Sequence, residues 1–438
     1  MTVKWPISKL RDLADVRVSN VDKKSYATER PIKLCNYMDV YANDYVTSAL
    51  DFMPATASPS EIERFALYAG DVVITKDSET PDDIGVPAVI VEDVDGLVCG
   101  YHLALIRPKA SVHPTFLAKQ LASAQTIKYF AANATGSTRF GLAIGTIEKL
   151  DIPTPPMREQ SKIAEVLSTV DRAIEQTEAL IAKQQRIKTG MMQDLLTRGI
   201  DEHGNLRSEQ THEFKDSPLG RIPVEWEVVA INDLAAHVGS GVTPRGGESV
   251  YTLQGVLFIR SQNVHFGGLR LDDVAYIPRR IHKSMRRSEV YENDVLLNIT
   301  GASIGRCCRM PRTDGQANVN QHVCAIRLQN VTEARASVAT AILESHIGQN
   351  QIAQFNAGGN REGLNYQQVR GFLLPWPSNP GEFDRLDVGL RRCSAGLERS
   401  LASLRKLRLL KSGLMQDLLS GSRRVTALLA SPKTEVEA

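Results

Sequence analysis

The sequence predicts two tandem, pseudo-repeated α+β domains, separated by two long helices that form an antiparallel coiled coil. Three observations carry this. The chain matches itself at an offset of about 222 residues, each half opens on a mixed strand-and-helix front, and each half closes on a heptad-patterned back. Length and composition agree: 438 residues, 23% charged, 42% hydrophobic and a formal net charge of +2 describe a multidomain globular chain. A disulfide-stapled miniprotein and a wholly disordered chain are both excluded.

The repeat comes first. Gly190-Met191-Met192-Gln193-Asp194-Leu195-Leu196 recurs as Gly413-Leu414-Met415-Gln416-Asp417-Leu418-Leu419, an offset of 223. Gly70-Asp71-Val72-Val73 matches Asn293-Asp294-Val295-Leu296, Arg139 with Gly141-Leu142 matches Arg361 with Gly363-Leu364, and Pro153 matches Pro375. His102 with Ile106-Arg107 matches His322 with Ile326-Arg327, and Trp5 matches Trp226. Ordered matches at a nearly constant offset are not chance. The period is too long for a solenoid and fits a domain plus an appendage.

The fronts carry strand signals at 71–75, 87–91 and 97–106 in the first copy, and at 256–259, 294–299 and 323–328 in the second. A helical pattern follows in each, over 115–131 and 338–355, and then a Gly-rich loop, GSTRFGL at 136–142 and GGNREGL at 358–364.

The backs follow alternating spacings of four and three. Ile163, Leu167, Val170, Ile174, Thr177, Ile181, Gln184, Lys188, Met191 and Leu195 form the first seam; Leu386, Leu390, Cys393, Leu397, Ser400, Leu404, Leu407, Lys411, Leu414 and Leu418 form the second. Each pair differs by 223, and about five heptads exceed what a coiled coil requires. Helices of about 40 residues are about 60 Å long, more than one small domain can cover, so the simplest partner for each is the other. The expected layout is a first domain at 1–152, a long helix at 153–199, a polar linker at 200–219, a second domain at 220–374, a second long helix at 375–421 and an unstructured tail at 422–438.

No catalytic constellation is present. GSGVTPRG (239–246) lacks the GK[ST] of a phosphate loop and the GxGxxG of a dinucleotide fold. No NPP-type methyltransferase motif occurs, and no His/Cys cluster has zinc spacing. His102 and His322, read as lying on equivalent strands, fit packing or polar contacts better than metal ligation. The six cysteines show no CxxC spacing, the N-terminus has no apolar signal core, and no stretch is long and apolar enough to span a membrane. The expectation is a reduced, cytoplasmic, membrane-free protein without catalytic residues, metal or cofactor of its own.

Polar clusters suited to a polyanion or to base edges do occur. Arg260-Ser261-Gln262-Asn263 follows a strand and offers the side chains that pair bidentately with guanine and adenine; a plain polar turn is the alternative. Arg279, Arg280, Lys283, Arg286 and Arg287 form a dense basic run suited to phosphates, or else a solvated loop. Thr300, Ser303 and Arg306 lie in a Gly/hydroxyl loop, with Gln321 and His322 beside a strand. Lys33, Asn36, Tyr37 and the run Lys76-Asp77-Ser78 are the first-half candidates, and Arg139 and Arg361 sit in the matching Gly-rich loops, where a helix-capping or hinge role is equally open.

These residues carry a family resemblance. The two halves, the GMMQDLL and GLMQDLL helix ends, IPTPPMREQSKIAEVLSTVD (152–171), GRIPVEWEV (220–228), GSGVTP (239–244), FIRSQNV (258–264), DVLLNITGASIGR (294–306) and NVNQHV (318–323) resemble the specificity subunit of type I restriction–modification systems over residues 1–421. GDVVITKDSETPDDIGVPAVI (70–90) is similar to another of its target-recognition variants. The second helix departs from the pattern, opening on LPWPSNPGEF instead of the Pro-Met-Arg-Glu-Gln form at 156–160, and the tail matches nothing. The resemblance implies a non-catalytic subunit whose two fronts each read one part of a bipartite, asymmetric double-stranded DNA target. It implies that the helices set the unread gap and dock modification methyltransferase subunits, normally two, with restriction/translocase subunits joining that core. S-adenosylmethionine, ATP and magnesium would belong to those partners. The competing expectation is a non-catalytic coiled-coil scaffold joining two protein-binding domains.

Overall fold

The computed structural model describes residues 5–357 and 363–429. It divides into two compact units, Met1–Glu178 with Ala402–Ala438, and Ala179–Leu401. Each long helix contributes to both: Met157–Arg198 starts in the first unit and ends in the second, and Pro380–Leu419 does the reverse.

In the first unit a five-stranded sheet runs in the order Ala14–Val18, Leu103–Pro108, Val72–Thr75, Pro87–Ile90 and Tyr45–Val46. A three-stranded sheet of Met53–Ala57, Arg30–Cys35 and Leu97–Cys99 lies beside it. The stretch 97–106, expected as one strand, is two, because its halves serve different sheets. Leu97–Cys99 pairs parallel with Arg30–Cys35, and Leu103–Pro108 pairs antiparallel with Val72–Thr75. His102 therefore lies in the turn between them, and His322 in the turn before Val323–Leu328, rather than on strands.

In the second unit Ala235–Ser240, Val323–Leu328, Val295–Asn298 and Cys307–Arg309 form one four-stranded sheet. Ala275–Ile277, Val256–Ile259, Ala317–Val319 and Glu289–Val290 form another. The helical patterns expected at 115–131 and 338–355 are each broken in two, as Pro114–Leu121 with Ala124–Asn133 and Glu333–Glu344 with His346–Ala357. The first break is a new N-cap, where Ser123 Oγ accepts from the Thr126 N–H at 3.3 Å.

The duplication extends to single hydrogen bonds. Arg107 Nη2 donates to Asp71 at 2.7 Å and Arg327 Nη2 donates to Asp294 at 2.7 Å, with the Nε atoms completing both forks. Each carboxylate also accepts from the backbone N–H three residues before it, and each guanidinium lies over the ring there, Tyr68 or Tyr291. The preceding residue has a left-handed backbone in both copies, φ 93° at Gly70 and 71° at Asn293, which explains why this matched pair is Gly and Asn.

The long helices run antiparallel within each unit. In the first, Asp171 pairs with Lys411 at 2.7 Å, and Glu178 with Arg408 at 2.7 Å, so one number falls as the other rises. In the second, Leu195 packs on Gly389, and Cys393 Sγ lies 3.9 Å from Met191 Sδ. Ile163, Leu167, Ile181, Leu195, Leu386, Leu390, Leu404 and Leu418 are buried. Val170, Ile174, Leu397, Leu407 and Leu414 are half-buried, and Met191 is 47% exposed, towards the end of its helix. The helices begin later than the pattern suggests, because Asp151–Pro153 and Leu373–Pro377 are strands paired with Ile7–Lys9 and Trp226–Ala230.

The segments after the helices, expected as a polar linker and an unstructured tail, are tied into the fold by buried ion pairs, the tail being described as far as residue 429. In the second unit Arg207 forms a buried fork to Glu382, which also accepts from Trp226 Nε1 at 3.1 Å and from the Ile200 N–H at 3.0 Å. In the first, Arg424 forks to Glu159 at 2.5 and 2.8 Å over the Trp5 ring, and Val425 is buried beside it. Polar composition hid these contacts, because the buried partners are themselves charged. The remainder of the expected tail, 430–438, lies outside the described residues. At Gly199 (φ 69°) a Cβ would lie 2.4–2.5 Å from Glu382, Arg207 and Trp226. Gly199→Ala is therefore expected to destabilise the fold by about 1–3 kcal/mol, measured by urea denaturation.

Candidate nucleic-acid interface

In the first unit an open cleft of about 700 Å³ is lined by Tyr37, Tyr41, Asp77, Ser78, Glu79, Asp83, His102 and Arg139, among others. Its wall is the short pair of strands Asp77–Ser78 and Phe140–Gly141, which brings the KDS segment against the GSTRFGL loop. Three of the residues singled out from sequence, Tyr37, Ser78 and Arg139, thus meet here. Tyr37 stacks on Tyr41 at 5.3 Å, and Tyr41 donates to Asp83 at 2.8 Å. Partial burial, with Asp83 nearby, raises the Tyr37 hydroxyl above its ordinary pKa, so it stays a neutral donor. Asp77 holds both His102 Nδ1, at 2.8 Å, and Lys76 Nζ, at 2.6 Å, so Lys76 is already neutralised. Asn36 caps the helix Tyr37–Tyr41, its N–H donating to Asp39 at 2.7 Å. Lys33 is exposed on its strand.

A second polar group in this unit joins the front to both helices. Lys119 pairs with Asp44 at 3.0 Å and Asp171 at 2.7 Å, and Lys411 with the same two carboxylates at 2.9 and 2.7 Å. Burial alone would raise the Asp44 pKa; Lys119 and Lys411 hold it below the usual carboxylate range. Lys411, a polar seam position, is thus used structurally.

In the second unit the equivalent of the Asp77–His102 contact is Thr300 Oγ1 with His322 Nδ1 at 2.5 Å. His322 Nε2 meets Gln321 at 2.8 Å, and Thr243 donates to Gln321. Thr243, Gln321, His322 and Thr300 therefore form one continuous polar chain. Ser303 Oγ accepts from Asn298 at 3.0 Å, and Arg306 is half-buried beside it in sequence.

The RSQN cluster is largely self-satisfied. Asn263 is buried and donates to the carbonyls of Arg270 and Asp273, so it shapes its own loop and offers no base contact. Arg260 and Gln262 both reach Asp273, at 3.4 and 2.6 Å, and Ser261 is half-buried, its carbonyl accepting from Asn298. Arg279, Arg280, Lys283, Arg286 and Arg287 are exposed on the helix Arg279–Ser284 and the turn Arg286–Ser288. Arg361 lies outside the described residues. The sequence reading did not single out Tyr41, Glu79 or Thr243. The 223 offset that aligns Asp71 with Asp294 also aligns Asp77 with Thr300, a signal that could have found the shared histidine contact.

No group of metal-binding side chains occurs among the described residues. Burial pushes the Cys308 and Cys324 thiols up to about 12 and raises Cys35, Cys99 and Cys307 as well, so these cysteines stay protonated and packed rather than nucleophilic. No described helix is long and apolar enough to cross a membrane.

Residues 2–184 match the family model described as a type I restriction modification DNA specificity domain. That stretch spans the first front and more than half of the first long helix, and the chain as a whole is similar to type I specificity subunits. It is 25% identical over 307 residues to the putative type I restriction enzyme MjaX specificity subunit of Methanocaldococcus jannaschii, covering 67% of this chain and 66% of that one. It is 30% identical over 158 residues to the MjaVIII specificity subunit of the same organism, covering 36% and 35%. It is 26% identical over 258 residues to the EcoBI specificity subunit of Escherichia coli, covering 56% and 52%. The matched stretches thus span from about a third to about two thirds of these relatives. Among solved structures, the S subunit of a type I restriction-modification system from M. genitalium shares the fold, with TM-score 0.59, 13% identity and coverage of 95% and 96%.

Proposed function

We propose that this chain is the sequence-specific DNA-recognition subunit of a type I restriction–modification complex, each unit reading one part of a bipartite, asymmetric double-stranded target. The observation that carries the reading is a duplicated scaffold bearing unlike side chains at its equivalent polar sites. The Asp71–Arg107 and Asp294–Arg327 forks match atom for atom, whereas Asp77–His102 is replaced by Thr300–His322. A shared framework with divergent hydrogen-bonding edges suits two readers of different bases. The target is therefore asymmetric.

The paired helices set the unread spacer and dock modification methyltransferase subunits, two per chain, through which restriction/translocase subunits join. Exposed apolar side chains on the helices support docking: Leu180 and Ile187 in the second unit, Leu409 and Leu410 in the first. Half-sites read from one face of B-DNA are spaced by about 34 Å or a multiple of that.

The test is methylation by the chain assembled with its methyltransferase subunits, mapped across a genome. One bipartite motif is expected, and changing either half-site should abolish modification. Methylation insensitive to one half-site would overturn the reading.

A further inference from the structure

The two fronts differ in charge. Residues 1–152 hold 16 Lys and Arg against 19 Asp and Glu, a net −3; residues 220–374 hold 16 against 13, a net +3. The excess in the second is concentrated. Five of the nine residues from Arg279 to Arg287 are basic, and no nine-residue window of 1–152 holds more than three.

This run is not a floppy loop. Ile281 and Met285 turn inward onto Val256, Phe258, Ala275 and Ile277. His282 is buried, its Nδ1 2.8 Å from Asn318 Oδ1. Asn318, fully buried, donates to the Met285 carbonyl and to Ser288 Oγ, each at 3.0 Å. The apolar and amide contacts leave Arg279, Arg280, Lys283, Arg286 and Arg287 outward. All five are exposed, and none has an ion pair or side-chain hydrogen bond among the described residues.

The first unit has exposed cations too, such as Lys23, Lys24 and Arg30, but none in so dense a run, and those near its cleft are largely spent. Lys76, Arg107 and Lys119 are each paired with a carboxylate, and the cleft there presents Asp77, Glu79 and Asp83. Carboxylates repel phosphate but accept from the amino groups of bases. A pre-ordered array of unpaired cations has the opposite character: it loses little freedom on binding and releases counterions from a duplex backbone.

We propose that the Arg279–Arg287 face grips the phosphate backbone of double-stranded DNA, so that the second unit supplies most of the salt-dependent affinity and the first unit supplies discrimination with little of it. This rests on the DNA-reading function proposed above. It implies ordered engagement, with the second unit holding non-specific duplex while the first samples sequence.

The experiment uses the full chain assembled with its methyltransferase subunits, on a duplex carrying the mapped target and on a scrambled duplex, between about 50 and 200 mM salt. Each phosphate contact contributes about −0.9 to the slope of log affinity against log salt. The triple variant Arg279→Gln, Lys283→Gln, Arg287→Gln should flatten the slope by about 2–3. It should weaken both duplexes by a similar factor and leave the recognised sequence unchanged. Arg287→Gln alone, which leaves the inward face intact, should flatten it by about 1. The first-unit variant Lys23→Ala, Lys24→Ala, Arg30→Ala should change it by less than about 1. A wild-type slope in both glutamine variants, or an equal loss in the first-unit variant, overturns the division of labour. A wild-type complex that fails to distinguish the two duplexes overturns the DNA-reading function instead.

Discussion

A chain carrying both Leu195→Asp and Leu418→Asp is expected to lose its cooperative melt and its assembly with methyltransferase subunits. Leu195 is 8% exposed, packed with Leu196, Ile200, Leu386 and Leu390 in the second unit's core. Leu418 is 6% exposed among Ile163, Leu167, Leu419 and Val425 in the first. Each substitution removes roughly 2–3 kcal/mol of apolar burial. Each also leaves a carboxylate among aliphatic side chains, which adds several kcal/mol or forces local opening. Total stabilities run about 5–15 kcal/mol, so each unit is driven close to unfolding. Thermal melts and size-exclusion chromatography with the methyltransferase subunits check this. The control Leu195→Met with Leu418→Met should stay within about 1.5 kcal/mol of wild type per site, because volume and polarity are kept. Retained assembly in the aspartate variant would show that docking of the methyltransferase subunits does not depend on the helix seam.

Arg207→Ala should have the next largest effect, about 3–5 kcal/mol, because it leaves Glu382 buried without its cation. Glu382 is 1% exposed, and the Trp226 indole and the Ile200 N–H still point at it. The two residues are far apart in sequence, so the loss also frees the segment 199–207 from the helix start. Replacing both, as Arg207→Met with Glu382→Leu, should recover most of the loss, since an isolated buried charge costs more than a missing pair. Urea denaturation of the three chains separates these cases. A double variant no better than Arg207→Ala would mean that the indole and backbone contacts to Glu382, rather than its pairing with Arg207, hold the segment. The equivalent Arg424→Ala should cost less, because the Arg424 side chain is 24% exposed and water can replace it.

The elements whose side chains point in one consistent direction were legible. The strands at 256–259 and 323–328 fall where alternation and β-branching place them, and the long helices follow their heptads. What escaped was set by tertiary contacts. Nothing local announces that 97–106 serves two sheets, or that a Ser–Thr contact at 123–126 ends one helix and starts another. The segments after the helices read as solvated because Arg207 and Arg424 are charged; their buried carboxylate partners lie 175 and 265 residues away. The same blindness affected the candidate interface. Asn263 and Lys76 have the right chemistry for a ligand but are occupied within the fold, whereas the cations of 279–287 stay outward.

The first unit is discontinuous, completed by residues after Ala402, whereas the second is one uninterrupted stretch. On a ribosome, the middle of this protein can therefore finish folding before its beginning can. Until Lys411, Leu418 and Val425 emerge, Asp171 has only Lys119 to neutralise it, and Ile163 and Leu167 lack their covering layer. Translation stopped short of that point leaves a nascent product with one finished unit and one sticky, proteolysis-prone remnant. Synthesis past Val425 thus acts as a quality gate for the first unit.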